Sequence, residues 1–459
     1  MPLKALIAVL LSLFAIASCI TRYQNANMAD FYNFWGVAAA KQWDPTLQGP
    51  YAGQKGPHDG AQKYSAALAE RAAQSNDKKL KKAAHVRRKG MYLTSTPFLY
   101  ASFGVLGSSD SSYTVAWRNY FVLQVLAFAV SIFAVVYVYS GAVFPGLILA
   151  LTLIIAFVPF HSDLNVGNLN SIQLGGVTLL VLASKRAASE RVVREKRLWS
   201  LAVFCGLCAI TLLKPNLALF SAAMTLHLIA SNGWREFFRW LLPWGTLLGL
   251  ILVVWSGAIF GRVSVWIDWY DKVFGADPGR LIFPSDMGNV STALWLSETF
   301  SAPISIATFV LVAGVLLLAI LGIGWASVRA GTGLRDGVRL VVEAFRDPAF
   351  AATTGLILTF ALMPLVWFHY YVLLLLPALW LASKPDHGPV VRLAGALSVV
   401  LAAGALQSVA GPIFGWRGLQ YDAVALSWVP VWVGVVIVLI RSAPVVPEFP
   451  GRSNGSTPG

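Results

Sequence analysis

A single carboxylate, Asp30, stands among aromatic and small apolar residues in the stretch MADFYNFWGVAAAKQWDP, shortly after a strongly hydrophobic N-terminus. The neighbouring rings, including Tyr32, would partly desolvate this carboxylate and keep its basicity high. Such an acid suits a general base that takes a proton from a hydroxyl group. The alternative is an ordinary helix-end or solvated turn residue. More loosely placed acids occur elsewhere in the predicted loops: Asp163, Asp268, Asp271 and Asp286.

A lysine, Lys214, interrupts an otherwise apolar stretch from Leu198 to Ile229. The helix that precedes it rises about 24 Å, so Lys214 is expected below the outer headgroup plane. A lysine at that depth costs about 2.5–3.5 kcal/mol unless another group compensates it. A phosphate group is the natural counter-charge, and Lys214 is therefore predicted to bind one. The alternative is a snorkelling lysine in an ordinary turn before Pro215.

Neutral hydrogen-bonding residues occur near the start of a short apolar run. Asn168, Asn170 and Gln173 could together line a cup for a hydroxyl-rich ligand. Asparagine and glutamine also cap helices routinely, so a structural role stays open for each. Asn289, in the sequence Gly-Asn-Val-Ser, is predicted to contact substrate, with a turn position as its alternative.

A histidine, His369, lies between two apolar runs in the sequence WFHYY. A histidine beside a carboxylate or a phosphate can tune or share a proton, which makes His369 a second candidate catalytic residue. Its neighbour Tyr370 and the earlier Tyr32 are predicted to contact the substrate. A structural histidine at a helix end is the alternative.

The composition requires a membrane to surround these residues. The chain has 459 residues, of which 57% are hydrophobic and 12% charged, and its mean hydropathy is +0.66. These values predict an all-α integral membrane protein. The net charge of +14 is expected to orient helices and to meet anionic lipid headgroups, because no nucleic-acid-binding motif is visible.

Apolar runs of about the length needed to cross a membrane predict about twelve transmembrane helices. They cover residues 3–20, 115–139, 142–160, 170–184, 198–213, 215–231, 240–260, 303–328, 350–367, 369–383, 393–411 and 424–440. The chain is thus predicted to form a single polytopic membrane domain, 1–459.

Basic residues in the connections predict the orientation of these helices. The loops 185–197 and 329–346 carry many Arg and Lys residues and are expected in the cytoplasm, together with a disordered tail, 441–459. The long first loop, 21–112, is then extracytoplasmic. It holds a basic helical insert, 52–90, which either lies on anionic headgroups or is a solvated charged helix. On this topology all the candidate residues converge on the extracytoplasmic face.

Several short motifs, taken in order, resemble glycosyltransferase family 87, the polyprenyl-phosphate-mannose-dependent mannosyltransferases of the C-type membrane glycosyltransferase superfamily. The resemblance runs from the first span to about Pro377. Its motifs are DFY from Asp30, YLTSTPFLY at 92–100, the segment 168–173, LKP around Lys214, NVS from Asn289, and HYYVLLLLP from His369. The chain departs from the family where Thr96 stands in place of a proline, where Val166-Gly-Asn-Leu-Asn170 replaces Gly-Gln-x-Asn, and in the insert 52–90.

The resemblance implies a C-type active site formed by extracytoplasmic loops and a multi-pass protein of the bacterial inner membrane. It also implies an inverting transfer of a sugar from a polyprenyl-phosphate donor to a lipid or glycan hydroxyl. Mannose is the expected sugar. The resemblance also implies an acidic base in the first outer loop, which Asp30 matches. From its residue type and depth, Lys214 is expected to hold the leaving phosphate, with His369 assisting either the base or the phosphate. No metal and no cofactor are expected, because cationic side chains can neutralise a monophosphate. A lipid or glycan flippase or transporter is the main alternative, and a non-catalytic scaffold is a further one.

Overall fold

The computed structural model describes residues 3–47, 49–51, 59–86, 93–106, 112–274, 289–329, 334–403 and 419–442. Across these ranges the backbone is helical, and the one β-type contact is an isolated antiparallel bridge between Asn289 and Trp367. The predicted all-helical class is therefore confirmed. Residues 443–459 of the predicted tail, 441–459, and parts of the basic insert lie outside the described residues; residues 441 and 442 belong to the last helix.

Ten helices lie within the described part of residues 3–213. They are α1 Leu3–Asn25, α2 Ala29–Trp43, α3 Asp59–Gln74, α4 Lys78–Val86, α5 Pro97–Leu106, α6 Tyr113–Ser140, α7 Val143–Ala156, α8 Val158–Val166, α9 Asn170–Ser189 and α10 Val193–Leu213. A short 3₁₀ segment, Pro215–Leu217, follows α10.

The second half of the described chain continues in the same way. Its helices are α11 Ala218–Asn232, α12 Trp234–Glu236, α13 Leu242–Ile259, α14 Val265–Phe274, α15 Thr292–Thr299, α16 Ile304–Arg329, α17 Leu334–Ala344, α18 Pro348–Leu362, α19 Leu375–Ser383, α20 Gly388–Ala402, α21 Leu419–Ala425 and α22 Val429–Ser442. A π-helical turn, Phe237–Leu241, precedes α13, and 3₁₀ segments cover Phe368–Leu374 and Pro385–His387.

Several helical segments are long and apolar enough to cross a membrane. Among the described residues there are six: Leu3–Asn25, Tyr113–Ser140, Val193–Leu213, Trp234–Ile259, Ile304–Gly322 and Asp422–Arg441. The bent pair of α7 and α8 would make a seventh. Each of the twelve predicted runs overlaps a helix, but the count of twelve spans is not confirmed. The structure is that of a multi-pass membrane protein.

Large apolar side chains are exposed on the outer faces of several helices. Leu13 and Phe14 of α1 are 59% and 65% exposed, and Phe309 of α16 is 71% exposed. In water such surfaces would be unfavourable, whereas the hydrocarbon of a bilayer accepts them. The exposed faces therefore agree with the membrane assignment.

Prolines divide the predicted runs at the places where polar residues occur. The run 142–160 is broken after α7, and α7 and α8 enclose a bend of 62°. Pro159 lies in the first turn of α8, where its missing N–H removes no helical hydrogen bond. Pro215 likewise opens the 3₁₀ segment after α10. The run 350–367 stops early, because α18 ends at Leu362, just before Pro364.

The basic insert contains α3 and α4, and two of its lysines contact the first span. Lys79 Nζ donates to the carbonyl oxygen of Tyr23 at 3.0 Å and lies 4.1 Å from the centre of the Tyr23 ring. Lys82 Nζ donates to the carbonyl oxygen of Asn25 at 3.3 Å. The last carbonyl groups of a helix lack intrahelical partners and carry partial negative charge. These two lysines therefore stabilise the end of α1, a role that neither sequence interpretation of the insert included.

Candidate active site

Asp30 lies in the first turn of α2, after a tight turn that ties α2 to the end of α8. Met28 adopts a positive φ of 58°, which is uncommon for a residue other than glycine. The backbone N–H groups of Asn27 and Met28 both donate to the carbonyl oxygen of Asn165, at 3.0 and 2.9 Å. The Asp30 side chain is partly exposed. This anchor holds its carboxylate against the connection between α8 and α9.

Gly167 allows the close approach of the helices at that connection. Its φ is +68°, and a Cβ atom there would lie 2.6 Å from Phe31 Cβ and 2.8 Å from the Trp117 ring. Both the backbone conformation and the contact therefore favour glycine. As a result, the next residue, Asn168, lies directly beside Asp30.

The side-chain amide of Asn168 connects a carboxylate to an ammonium group. Its Nδ2 donates to Asp30 Oδ2 at 2.7 Å, and its Oδ1 accepts from Lys214 Nζ at 2.9 Å. The amide orientation is fixed, because only its NH₂ group can donate and only its oxygen can accept. A single amide group spans the gap, so the two charged groups are no more than about 8 Å apart.

Two residues of α6 hold the backbone of Asn168. Its carbonyl oxygen accepts from the Tyr120 hydroxyl at 2.8 Å and from Gln124 Nε2 at 2.5 Å. Sequence reasoning missed both residues. Their spacing of four places them on one face of an apolar helix, and polar residues within a membrane span are commonly functional. That signal could have identified them.

Lys214 lies at the break between α10 and the 3₁₀ segment that follows it. Its Nζ donates to Asn170 Oδ1 at 3.2 Å, in addition to Asn168, and lies 4.1 Å from the centre of the Tyr370 ring. Thr96 supports this break, because its Oγ1 donates to the carbonyl oxygen of Leu212 at 2.6 Å. Lys214 is thus partly buried and held by amide oxygens and an aromatic face. Its side chain does not snorkel away from the protein.

Asp163 was expected to be a loosely placed acid, and this expectation is wrong. Its side chain is fully buried in α8. Its carboxylate accepts from Asn170 Nδ2 at 2.8 Å, from the Ser171 N–H at 2.8 Å and from Ser171 Oγ at 2.6 Å. The negative charge also attracts Lys214 electrostatically. Asp163 therefore fixes the first turn of α9, including the side chain that contacts Lys214.

The remaining predicted loop acids lie elsewhere. Asp268, in α14, forms an ion pair with Arg262 at 2.5 Å. Asp271 follows in the same helix, and Asp286 lies outside the described residues. None of the contacts found for Asp268 joins it to Asn168 or Lys214.

His369 lies in the 3₁₀ segment that passes beneath Lys214. Its side chain is 7% exposed, and its Nε2 has no hydrogen-bond partner among the described residues. Its ring stacks on Trp367 with centroids 6.4 Å apart and contacts the Tyr370 ring edge-on at 5.2 Å. Because Tyr370 touches Lys214, His369 lies close to the ammonium group.

Asn289 occupies a different kind of position. Its Oδ1 accepts from the N–H groups of Ser291 and Val366, both at 3.1 Å, and its Nδ2 donates to the carbonyl oxygen of Pro364 at 3.2 Å. These bonds join the start of α15 to the segment that leads to His369. Asn289 therefore positions the backbone, and its contact with substrate stays a prediction.

Gln173 and Tyr32 are both buried, but their environments differ. Gln173 is 2% exposed, and neither atom of its amide has a partner in the described chain. It lies one turn along α9 from Asn170, on the same side of the helix. Tyr32 is 2% exposed and packs edge-on against Tyr113, with ring centroids 6.2 Å apart. Gln173 therefore borders the Lys214 environment, whereas Tyr32 packs in the aromatic layer behind Asp30.

The arrangement combines a partly exposed carboxylate, an ammonium group no more than about 8 Å away and a histidine nitrogen near that ammonium. Within the described ranges, no three His, Cys, Asp or Glu side chains are grouped so that they could hold a metal ion. Such a site can accept a proton at one end and stabilise an anion at the other. The interactions that hold it come from α2, α6, α8, α9 and the two 3₁₀ segments.

Comparison of the whole chain with models of protein families, with curated proteins and with solved structures finds no match in any of the three.

Proposed function

We propose that this protein is an inverting glycosyltransferase that moves a sugar from a polyprenyl-phosphate donor to a hydroxyl group of a lipid or glycan. The observation that supports the proposal most strongly is the Asn168 amide, which joins the Asp30 carboxylate to the Lys214 ammonium. The order of short motifs, which resembles that of glycosyltransferase family 87, also supports it and includes these same residues. The proposal includes a twelve-span C-type fold in the bacterial inner membrane, with its site on the extracytoplasmic face.

The reaction is a single displacement at the anomeric carbon. Asp30 takes the proton of the acceptor hydroxyl, and the acceptor oxygen forms a bond to the anomeric carbon. The bond from that carbon to the phosphate oxygen breaks on the opposite side, so the configuration inverts. The polyprenyl phosphate leaves with one additional negative charge, which Lys214 stabilises. His369 Nε2 hydrogen-bonds to the departing phosphate.

The separation of the charged groups suits this geometry. In a single displacement, the base and the leaving group must lie on opposite sides of the sugar carbon. Inverting glycoside hydrolases keep their two carboxyl groups about 6.5–9.5 Å apart, to make room for the incoming nucleophile. In this site the Asn168 amide lies between Asp30 and Lys214, at a separation of no more than about 8 Å, so the two groups are not in direct contact. A pair in direct contact would leave no such room.

A lipid or glycan flippase is the second candidate. Two observations favour it: α7 and α8 form a sharply bent pair, and Asp163 is a fully buried charge in the second helix of that pair. Broken helices and buried charges are common at the substrate sites of transporters. In that case Asp163 and Lys214 would bind cargo without any bond breaking.

The test is turnover of purified protein in lipid nanodiscs with polyprenyl-phosphate mannose, glucose and galactose as donors. We expect transfer from at least one donor, and we expect Lys214→Ala to weaken binding of that donor at least about tenfold, as loss of a charge-assisted contact should. Lys214→Arg keeps the charge with a different shape and should retain part of the affinity. Lys41→Ala is the matched control, because the Lys41 ammonium donates to the carbonyl oxygens of Pro45 and Leu47 and interacts with Asp44, away from Asn168 and Lys214.

The flippase alternative predicts a different outcome. The protein would then transfer no sugar from any of the three donors, but reconstituted vesicles would still move a labelled polyprenyl-phosphate sugar between leaflets. Donor affinity that is unchanged in Lys214→Ala would also contradict the proposed phosphate site.

A further inference from the structure

Three buried polar side chains near Lys214 have atoms without a hydrogen-bond partner among the described residues. Both amide atoms of Gln173, both amide atoms of Asn216 and Nε2 of His369 belong to this group. Their exposed fractions are 2%, 9% and 7%. Buried polar side chains are nearly always hydrogen-bonded, so such a group requires an explanation.

Each member of this group lies close in sequence to a residue that touches the Lys214 side chain, or to Lys214 itself. Gln173 is one helical turn from Asn170, on the same side of α9, and Asn170 accepts from Lys214 Nζ at 3.2 Å. His369 is adjacent to Tyr370, whose ring centre lies 4.1 Å from Nζ.

Asn216 follows Lys214 by two positions in the 3₁₀ segment Pro215–Leu217. The helix α9 packs against the 3₁₀ segment of His369, and α18 packs against both 3₁₀ segments and against α9. The three side chains therefore belong to one region around the ammonium group.

The other amides of this region show that the fold can pair such groups. Asn168 joins Asp30 to Lys214, and Asn170 joins Asp163 to Lys214. Gln173 and Asn216 are buried as well, but their amide atoms have no partner among the described residues. An amide offers two donors and one acceptor oxygen, and a sugar hydroxyl can both accept and donate.

We propose that Gln173 and Asn216 form a subsite for the ring hydroxyls of an uncharged hexose, next to the phosphate position at Lys214 and His369. This inference rests on the proposed function and adds the location of the donor sugar. Asn168 and Asn170 then hold the charged groups, whereas Gln173 and Asn216 recognise the sugar. A site built to hydrogen-bond a hydroxyl discriminates strongly against an analogue that lacks it, because its buried polar groups are left unpaired.

The experiment uses the donor of mannose, glucose and galactose that the protein turns over fastest. Its monodeoxy analogues, each lacking one ring hydroxyl, are compared with it in wild-type protein. We expect removal of at least one hydroxyl to lower kcat/KM about tenfold or more. The full donor and its analogues share the same polyprenyl phosphate, so this ratio does not depend on the Lys214 contact.

Substitutions then show which residue binds the sugar hydroxyl identified by the analogues. In Gln173→Leu or Asn216→Leu, removal of the hydroxyl that the residue binds should cost less than about twofold, because the partner is already absent. Thr178→Val is the matched control. Thr178 is also buried on α9 with an unpaired hydroxyl, but it lies about 140° around the helix from Gln173. This control should keep the full wild-type penalty.

The possible failures are distinct. If no deoxy analogue loses more than about twofold in wild-type protein, the subsite proposal is wrong even if sugar transfer occurs. If the penalties persist unchanged in folded Gln173→Leu and Asn216→Leu, these residues do not bind the sugar. If either variant fails to fold, the analogue series with the other variant still decides. Absence of transfer from every full donor would instead contradict the proposed function itself.

Discussion

Two turns of this protein contain asparagine side chains that bond to different kinds of group. In the turn between α8 and α9, Asn168 and Asn170 bond to charged side chains: Asp30, Asp163 and Lys214. In the turn before α15, the bonds found for the Asn289 side chain go to backbone groups of Ser291, Pro364 and Val366. The first turn positions charges, and the second positions the chain.

This difference separates residues that could serve catalysis from residues that serve the fold. An amide between two charges has both of its polar atoms bonded to groups that a substrate could contact. An amide between backbone groups supplies the hydrogen bonds that those groups lack where a helix is interrupted. Variants of the two turns should therefore change different properties, activity in one and stability in the other.

The largest effect on stability should come from Asp163, the buried carboxylate that holds the turn between α8 and α9. Asp163→Ala leaves the Ser171 and Asn170 donors and the nearby Lys214 charge without their acceptor. We expect the free energy of unfolding to fall by at least about 3 kcal/mol, measured by denaturant unfolding in detergent. Asp268→Ala, which removes a partly exposed ion pair with Arg262, should cost about 0–1 kcal/mol. Equal losses in the two variants would contradict a structural role for Asp163.

A direct comparison of the two turns should give the next largest effects. Asn168→Leu removes the connection between Asp30 and Lys214, and we expect turnover to fall about tenfold or more through misplacement of the charges. Asn289→Leu should instead lower the free energy of unfolding by about 1–3 kcal/mol and leave turnover of the folded protein within about threefold of wild type. Measurement of kcat together with unfolding for both variants tests the distinction. The reverse pattern would mean that the assignments of the two turns must be exchanged.

The smallest effect should come from Asp77, which lies outside the membrane-spanning helices. Its carboxylate accepts from the Thr114 N–H and hydroxyl, at 2.8 and 2.7 Å. Burial alone would raise the pKa of Asp77, but the hydrogen bonds from Thr114, Leu80 and Lys79 outweigh it and hold the pKa below the ordinary value of 3.8.

The lowered pKa determines how the contribution of Asp77 to the stability of the folded protein depends on pH. The folded protein binds the Asp77 proton less tightly than the unfolded chain does. The stabilisation is therefore complete above the ordinary pKa and is lost as the pH falls through the lowered one. Asp77→Asn should lower the thermal midpoint at neutral pH by a few degrees, and the difference should shrink as the pH falls below the ordinary pKa of 3.8. A difference that grows on acidification would contradict this sign.

The sequence predicted the positions of many helices, because apolar runs and prolines act locally. Every predicted run overlaps a helix, and Pro159 and Pro215 lie where helices begin. The number of transmembrane helices could not be read from the apolar runs alone. Length and composition cannot show that α18 ends at Leu362, or that the segment 368–374 is a 3₁₀ turn.

The sequence indicated which residues belong to the candidate site, but it did not indicate which side chains they contact. Asp30, Lys214 and Asn168 were singled out as polar residues at the ends of apolar runs, and the structure brings them together. Asp163 was misjudged, because burial of an acid depends on contacts with residues distant in space. Thr96 and Tyr120 were overlooked for the same reason: their partners lie 116 and 48 positions away.

The central claim is that Asp30 removes the acceptor proton, and Asp30→Asn tests it most directly. The amide keeps the size of the side chain but cannot act as a base. We expect turnover to fall at least about a hundredfold, the lower end of general-base contributions, while donor affinity stays within a few fold of wild type. Asp30→Glu should recover little, because one methylene displaces the carboxylate by about 1 Å. If Asp30→Asn keeps more than about a tenth of wild-type turnover, Asp30 is not the base.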